Sequence, residues 1–498
     1  MKRIKALVVL FLVFSMVLTF AACGQPSAGN KENPMKGSGV DFTAKVPDTG
    51  AYLYFNVSKD DTKALEDFQK KLLDKGISPM LMSGMNEDVK GLIDDMKKVM
   101  DKYKDITDRQ FGVFALDMQK IKSLEDKEPS DINIGPQSGI YLVGVITFTK
   151  EVKVKDYLGD VKGIVDKLQR EDESTANIEI IPDEGKITIK GEEEDVPTVN
   201  VYFEQDGKNI IVTLGVPYSK MEKVDSPISG NEFWKEATAH SFALYFDVKS
   251  IPDEQAREEL INAGWQKPLK VYGDLTSTEK GGVYKTHGTL KIYNPTDKQF
   301  DDLGIPGDVK VVKSADLILA LDMDLLGAIV NELPQDEDIA MMKQYVDMFA
   351  GGVMTLSLSV QSMDKIAGAL IGQYFKNSDQ LWGMIQMMVS SYLQAAKQQM
   401  PGLYTKQEKT SDGFDIVVGT FQPSMEDEKI SGTPLLYLKL RIDPSKYADI
   451  VGNMDEEAAS VLQKYAEVVE NSESTLSVSY DKKENSISVD IMSTIATK

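Results

Sequence analysis

Tyr52-Leu53-Tyr54-Phe55-Asn56-Val57 sets the reading of the chain. It is an apolar strand closing on a polar residue, one more apolar residue and a polar turn. The arrangement returns as Phe114-Ala115-Leu116-Asp117-Met118, Leu244-Tyr245-Phe246-Asp247-Val248 and Leu319-Ala320-Leu321-Asp322-Met323. The copies are irregularly spaced, which argues against a solenoid, whose units recur at a fixed period. The pattern predicts an α+β fold of two related halves, mainly antiparallel sheets with helices packed on one face.

Outward from these strands the periodicity alternates between helix and strand. Leu65, Phe68, Leu72 and Leu73 fall at helical spacing, as do Val89, Leu92, Ile93, Met96, Val99, Met100 and Tyr103. Tyr157, Leu158, Val161, Ile164, Val165 and Leu168 make a third apolar face. Short strands are expected at 177–181, 186–190, 199–205 and 209–214, the last two joined by Asp206-Gly207, a strong hairpin signal. The pattern breaks at 225–230, around Pro227, and then begins again. This predicts domains at 46–228 and 229–498. Asp443-Pro444 is a helix start, with a cap followed by proline at the first helical position. The chain closes on a hairpin, with Leu476, Val478 and Tyr480 facing Ile487, Val489 and Ile491.

Residues 1–23, MKRIKALVVLFLVFSMVLTFAAC, combine Lys2, Arg3 and Lys5 with an apolar run and the chain's only cysteine. This stretch resembles a bacterial lipoprotein signal, with Phe20 at the place where Leu is usual. The resemblance implies that 1–22 are removed and that Cys23 is lipidated. The body would then be extracytoplasmic, held at the cell membrane or the outer membrane through that lipid. Residues 24–45 are rich in Gly, Ser, Asn and Pro, and with Cys23 they predict a flexible tether. The body is also similar to uncharacterised bacterial surface lipoproteins built from strand and helix units, a resemblance that implies no active site.

The full chain has 498 residues, 42% of them hydrophobic, enough for two cores. Its formal charge is −22, and losing Lys2, Arg3 and Lys5 with the signal makes it −25. That charge disfavours nucleic acid, which is bound through basic stripes. A single cysteine leaves no intramolecular disulfide.

Few residues suggest chemistry. Asp117, Asp247 and Asp322 recur at strand ends, where paired carboxylates serve hydrolysis and single ones cap turns and helices. Capping is the expected role, since nothing in the sequence places two of them together. His240 and His287 lack a metal-ligand spacing, and no calcium loop, phosphate loop or nucleophile motif is present. Neither a metal nor a cofactor is implied. Glu192-Glu193-Glu194-Asp195 reads as a solvated loop.

The remaining unusual stretch is 380–400, QLWGMIQMMVSSYLQAAKQQM. Its expected dominant face joins Leu381, Ile385, Met388 and Tyr392. Trp382, Met384, Met387, Met388 and Tyr392 are the candidate ligand-binding residues, because flexible thioethers suit varied apolar partners. They also fill ordinary cores. The expected function is a non-catalytic, lipid-anchored protein that binds an apolar ligand or an envelope protein. The alternative is a carboxylate-dependent hydrolase of cell-envelope polymer.

Overall fold

A computed structural model describes residues 34–58, 63–74, 98–99, 102–103, 105–124, 127, 132–171, 177–190, 197–262, 264–293, 303–325, 327–328, 343, 346, 348–451 and 456–498. Cys23, the acidic run at 192–195 and most of the helix expected over 86–104 lie outside these residues.

The chain divides into two compact units, the first mainly up to Thr278 and the second mainly from Lys298 onward. The first contains β1 (Ala51–Ser58), β2 (Thr107–Leu116), β3 (Ile140–Phe148), β4 (Asn177–Ile181), β5 (Lys186–Lys190), β6 (Val199–Asp206), β7 (Asn209–Leu214), β8 (Phe242–Phe246) and β9 (Leu269–Lys280). Its antiparallel ladder runs β9-β8-β1-β2-β3-β7-β6-β5-β4. After β10 (Val283–Tyr293), the second unit contains β11 (Val309–Val312), β12 (Leu317–Asp322), β13 (Val353–Ser362), β14 (Lys365–Gln373), β15 (Tyr404–Lys409), β16 (Phe414–Gly419), β17 (Met425–Glu428), β18 (Pro434–Ile442), β19 (Val469–Asp481) and β20 (Ser486–Thr497). Its ladder runs β20-β19-β18-β12-β13-β14-β16-β15, and β11 pairs with β17 in a separate ribbon. The order from β9 to β6 in the first unit matches that from β19 to β15 in the second. In both, a central strand is flanked by the next strand in sequence and by a strand that returns much later.

The expected α+β class is overturned. Strand outweighs helix, 43% against 30%, and the chain is predominantly antiparallel sheet with helices as local covers. Sequence periodicity overlooks β11, β14, β15 and β17. The Ile366–Gly372 run of β14 is dominated by Ala and Gly, residues with weak strand preference. Gly372 is required there, since a Cβ would lie 2.5 Å from the Phe414 ring.

The first unit buries both faces of its sheet. On one face Tyr54, Phe111, Val113 and Val143 pack against α3 (Glu232–Ala237) and the segment carrying Met35, Val40, Phe42 and Val46. On the other, α2 (Val154–Glu171) lays Tyr157, Leu158, Val161 and Val165 over Phe203, Ile187 and Val212. α1 (Lys63–Asp74), the helix expected from Leu65 onward, follows β1.

Two expectations about organisation change here. The tether expected through Lys45 does not extend over its described part, because residues 35–46 enter the core. The boundary expected at 228/229 falls inside the first unit. Val224 N donates to Ala44 O at 3.0 Å, Asp48 N to Ser226 O at 2.8 Å and Ile228 N to Val46 O at 2.9 Å. The Ser- and Pro-containing stretch therefore clasps the N-terminal strap. It lacks alternation because it is irregular, and its backbone groups are nevertheless paired.

Among the described residues no helix is long and apolar enough to cross a membrane.

Candidate functional site

α4 (Ser378–Gln399) carries the candidate residues. Its buried stripe is Leu381, Ile385 and Leu393, with Val389 half-buried between them, so burial falls on every fourth residue. Trp382 and Met384 are half-buried against the same cluster, which includes Phe375, Phe414 and Ile416, and the Trp382 and Phe414 ring centroids lie 6.3 Å apart. The expected face through Met388 and Tyr392 is therefore split. Met388 is 57% exposed, Tyr392 76% and Met387 76%. Twenty-two residues make a helix about 33 Å long, and since the buried stripe continues to Leu393, those three residues are exposed by the side of the helix they occupy. Ser390 Oγ hydrogen-bonds Gln407 of β15 at 3.3 Å, and Lys409 of β15 pairs with Asp379, which fixes one flank of α4 along that edge strand. Helical geometry turns Met384, Met388 and Tyr392 to the other flank, toward the middle of the sheet.

The sheet beside that flank is unusual. Strand register places Ile491, Leu476, Leu438, Leu319, Leu356, Leu370 and Ile416 in one row across seven strands. The next row on the same face holds Ser493, Ser474, Leu440, Leu317, Leu358, Gly368 and Val418. A third holds Val489, Val478, Leu436, Leu321, Met354, Gly372 and Phe414. None of these residues is charged, in a chain that is 27% charged. α4 covers the end of this face around Leu321, Met354, Leu370 and Ile416. Leu356 remains 44% exposed, Leu358 36%, Leu440 40% and Ile491 47%.

The opposite face is more polar and more deeply buried. Thr355, Ser357, Ser359, Asp415 and Lys439 are all buried there. Ser357, Asp415 and Lys439 have their polar groups engaged, whereas Thr355 Oγ1 is buried without a hydrogen-bond partner. Ser357 Oγ accepts from Val312 N at 3.0 Å, Gln373 Oε1 accepts from Lys310 N at 2.8 Å, and Lys310 forms an ion pair with Asp415. Lys439 and Tyr437 both donate to Glu428 Oε1, at 2.9 and 3.0 Å. The β11–β17 ribbon is thus held on this face by hydrogen bonds and ion pairs together with apolar packing, Val309 and Val311 against Ile318 and Ala320 and Val312 against Ala369 and Ile371, while the leucine side is left partly exposed. Alternation in the sequence shows which residues share a face, but not which face is covered.

The strand-end aspartates are caps. Asp117 accepts from Lys120 N at 3.1 Å, and Asp247 from Lys249 N at 3.0 Å. Asp322 accepts from Asp324 N at 2.9 Å and from Gly304 N. Burial pushes the Asp322 carboxyl above the usual carboxylate range, against the pull of those two N–H groups.

Sequence reading overlooks the partners of both histidines. His240 Nδ1 lies 2.7 Å from Asp274 Oδ2, whose other oxygen accepts from Ser241 N and Oγ, each at 3.1 Å. Tyr272 stacks on the imidazole with centroids 4.7 Å apart. Burial would raise the Asp274 carboxyl, but His240 and Ser241 outweigh it and hold the group below its usual range. His287 Nε2 lies 3.0 Å from Asp490 Oδ2. Thirty-four residues separate His240 from Asp274, a distance at which no local motif joins them. Among the described residues no cluster of three or more His, Cys, Asp or Glu is placed to hold a metal.

The strongest arrangement is therefore an uncharged leucine floor beside a methionine- and tyrosine-bearing helix wall. Comparison with known proteins adds no precedent for it: no family model, no curated protein and no solved structure matches the chain.

Proposed function

We propose that this chain is a lipid-anchored extracytoplasmic protein that binds an apolar ligand on its second unit, between α4 and the leucine floor. The observation that carries this reading is the contiguous uncharged leucine face, on which Leu356, Leu358, Leu440 and Ile491 stay partly exposed. Large contiguous apolar patches on a soluble body mark binding surfaces. The placement outside the cell rests on the signal-like sequence of residues 1–23. Asp117, Asp247 and Asp322 are occupied as caps, so no observation favours the hydrolase reading.

Nile red, an uncharged apolar probe, tests the binding. Saturable fluorescence enhancement is expected with the intact protein, and its loss in Leu358→Asp, whose partly exposed position leaves the fold standing. An unresponsive probe would overturn the assignment. Cys23→Ser should move the protein from the membrane to the soluble fraction, and a mass spectrum showing an intact, unmodified Met1 terminus would remove the anchor.

A further inference from the structure

We propose that the leucine floor takes up an acyl chain of a membrane diacyl lipid, with the polar head left in water. This rests on the apolar-ligand reading above and names the ligand. The first argument is charge. In a chain of formal charge −22, three consecutive rows across seven strands carry no ionisable side chain. The occupant that complements such a surface is uncharged along its length.

The second argument is hydrogen bonding. Backbone N–H and C=O groups under the floor are consumed in the ladders from β20 to β16. An extended peptide backbone would be desolvated over leucines without partners, at a penalty hydrocarbon does not meet. The third is dimension. From β20 to β13 the less-covered floor crosses four strand intervals, about 19 Å at ~4.8 Å each. One leaflet of a bilayer is about 15 Å of hydrocarbon, so one acyl chain fits along a row.

Shape separates this occupant from a second copy of the chain. α4 stands over one end of the floor by about a helix diameter, ~10 Å, making a step. A second copy would bring its own helix against that step, whereas a slender chain lies along it. Met354, Met384 and Met388 border the step, and thioethers adapt to chains of differing length and unsaturation. Gly368 adds a notch in the row between Leu358 and Val418. A Cβ there would lie 3.4 Å from Ser357 O and 3.7 Å from a Leu358 methyl, so a larger residue fits the fold while filling the notch.

The test uses the intact protein, stripped of bound lipid and offered vesicles of phosphatidylcholine with a pyrene-labelled acyl chain. Saturable transfer of the labelled lipid is expected, together with a discrete lipid adduct in native mass spectra before stripping. Gly368→Leu should weaken uptake by about tenfold or more, the scale on which a filled pocket rejects a chain. Leu440→Asp should do the same by placing a charge on the floor, and serves if Gly368→Leu does not fold. Nile red binding without lipid uptake would overturn the acyl-chain assignment and leave the apolar-ligand reading standing. So would displacement of Nile red by free fatty acids alone, or a lipid-free dimer. Failure of Nile red to bind would overturn both.

Discussion

The two units share much of a strand order and treat their sheets in opposite ways. The first covers both faces with apolar packing, using the strap and α3 on one side and α2 on the other. The second closes one face with the β11–β17 ribbon, through the Lys310–Asp415 pair and the apolar packing of Val309, Val311 and Val312, and covers the leucine face only in part, with α4. Among the described residues every exposed large hydrophobic side chain, from Leu356 to Met492, belongs to the second unit. A shared strand order therefore does not decide which side of a sheet becomes core. What decides it is which face the covering segment closes: the strap, α3 and α2 close both in the first unit, whereas the ribbon closes one in the second and α4 reaches only part of the other.

The contrast can be broken most severely where each unit is closed. Lys310→Met leaves the Asp415 carboxylate buried without its cation and should destabilise the second unit by about 3–5 kcal/mol. Phe42→Ala should cost the first unit a similar amount, about 3–5 kcal/mol, by opening a cavity under the strap. Two denaturant transitions monitored separately, each shifted by only one substitution, are the expected result. A single transition shifted equally by both would show that the units do not unfold separately.

A smaller effect tests the polar clamp within the apolar unit. Asp274→Asn should destabilise the first unit by about 1 kcal/mol, partial exposure reducing the value of the charge. The Asp274 carboxyl is held below its usual 3.8, so its stabilisation is fully present above that pH and is lost as pH falls through the lowered folded value. Acid titration of stability should therefore be shallower in the variant, and an unchanged acid limb would remove the clamp.

The smallest effect belongs to the outer side of α4. Met387→Asp should change stability by no more than about 0.5 kcal/mol, as its side chain lies largely in water. Unfolding on substitution, measured by thermal melting, would place Met387 in a packed layer and take α4 out of the contrast.

Much of the strand order was legible because hairpin turns and period-two alternation are local. β4, β5 and β7 begin and end where the sequence predicts. What escaped was set by distant partners. β14 reads as a Gly/Ala run until Phe375 and Phe414 supply the rings that its glycines admit, and the strap reads as a linker until residues 224–228 supply its hydrogen bonds. Of the candidate site, α4 was visible as an isolated methionine-rich segment. The floor was not, because Leu317, Leu319, Leu356, Leu358, Leu438 and Leu440 have the alternation of an ordinary core. Only the seating of the β11–β17 ribbon on the opposite face, over Ser357, Asp415 and Ile318, leaves the leucine side partly exposed.

The strap also resets a length. With residues 35–46 built into the first unit, an acylated Cys23 would reach the folded body through little more than ten residues. Ten residues cannot span more than about 35 Å even at full stretch. Composition alone would allow a mooring line roughly twice as long, ending at Lys45. For a body anchored as proposed, the clasp at 224–228 would act as a cleat on that line: opening it would pay out another dozen residues and let the body drift from the bilayer, so the strap's stability would set how close to the lipid surface the protein could work.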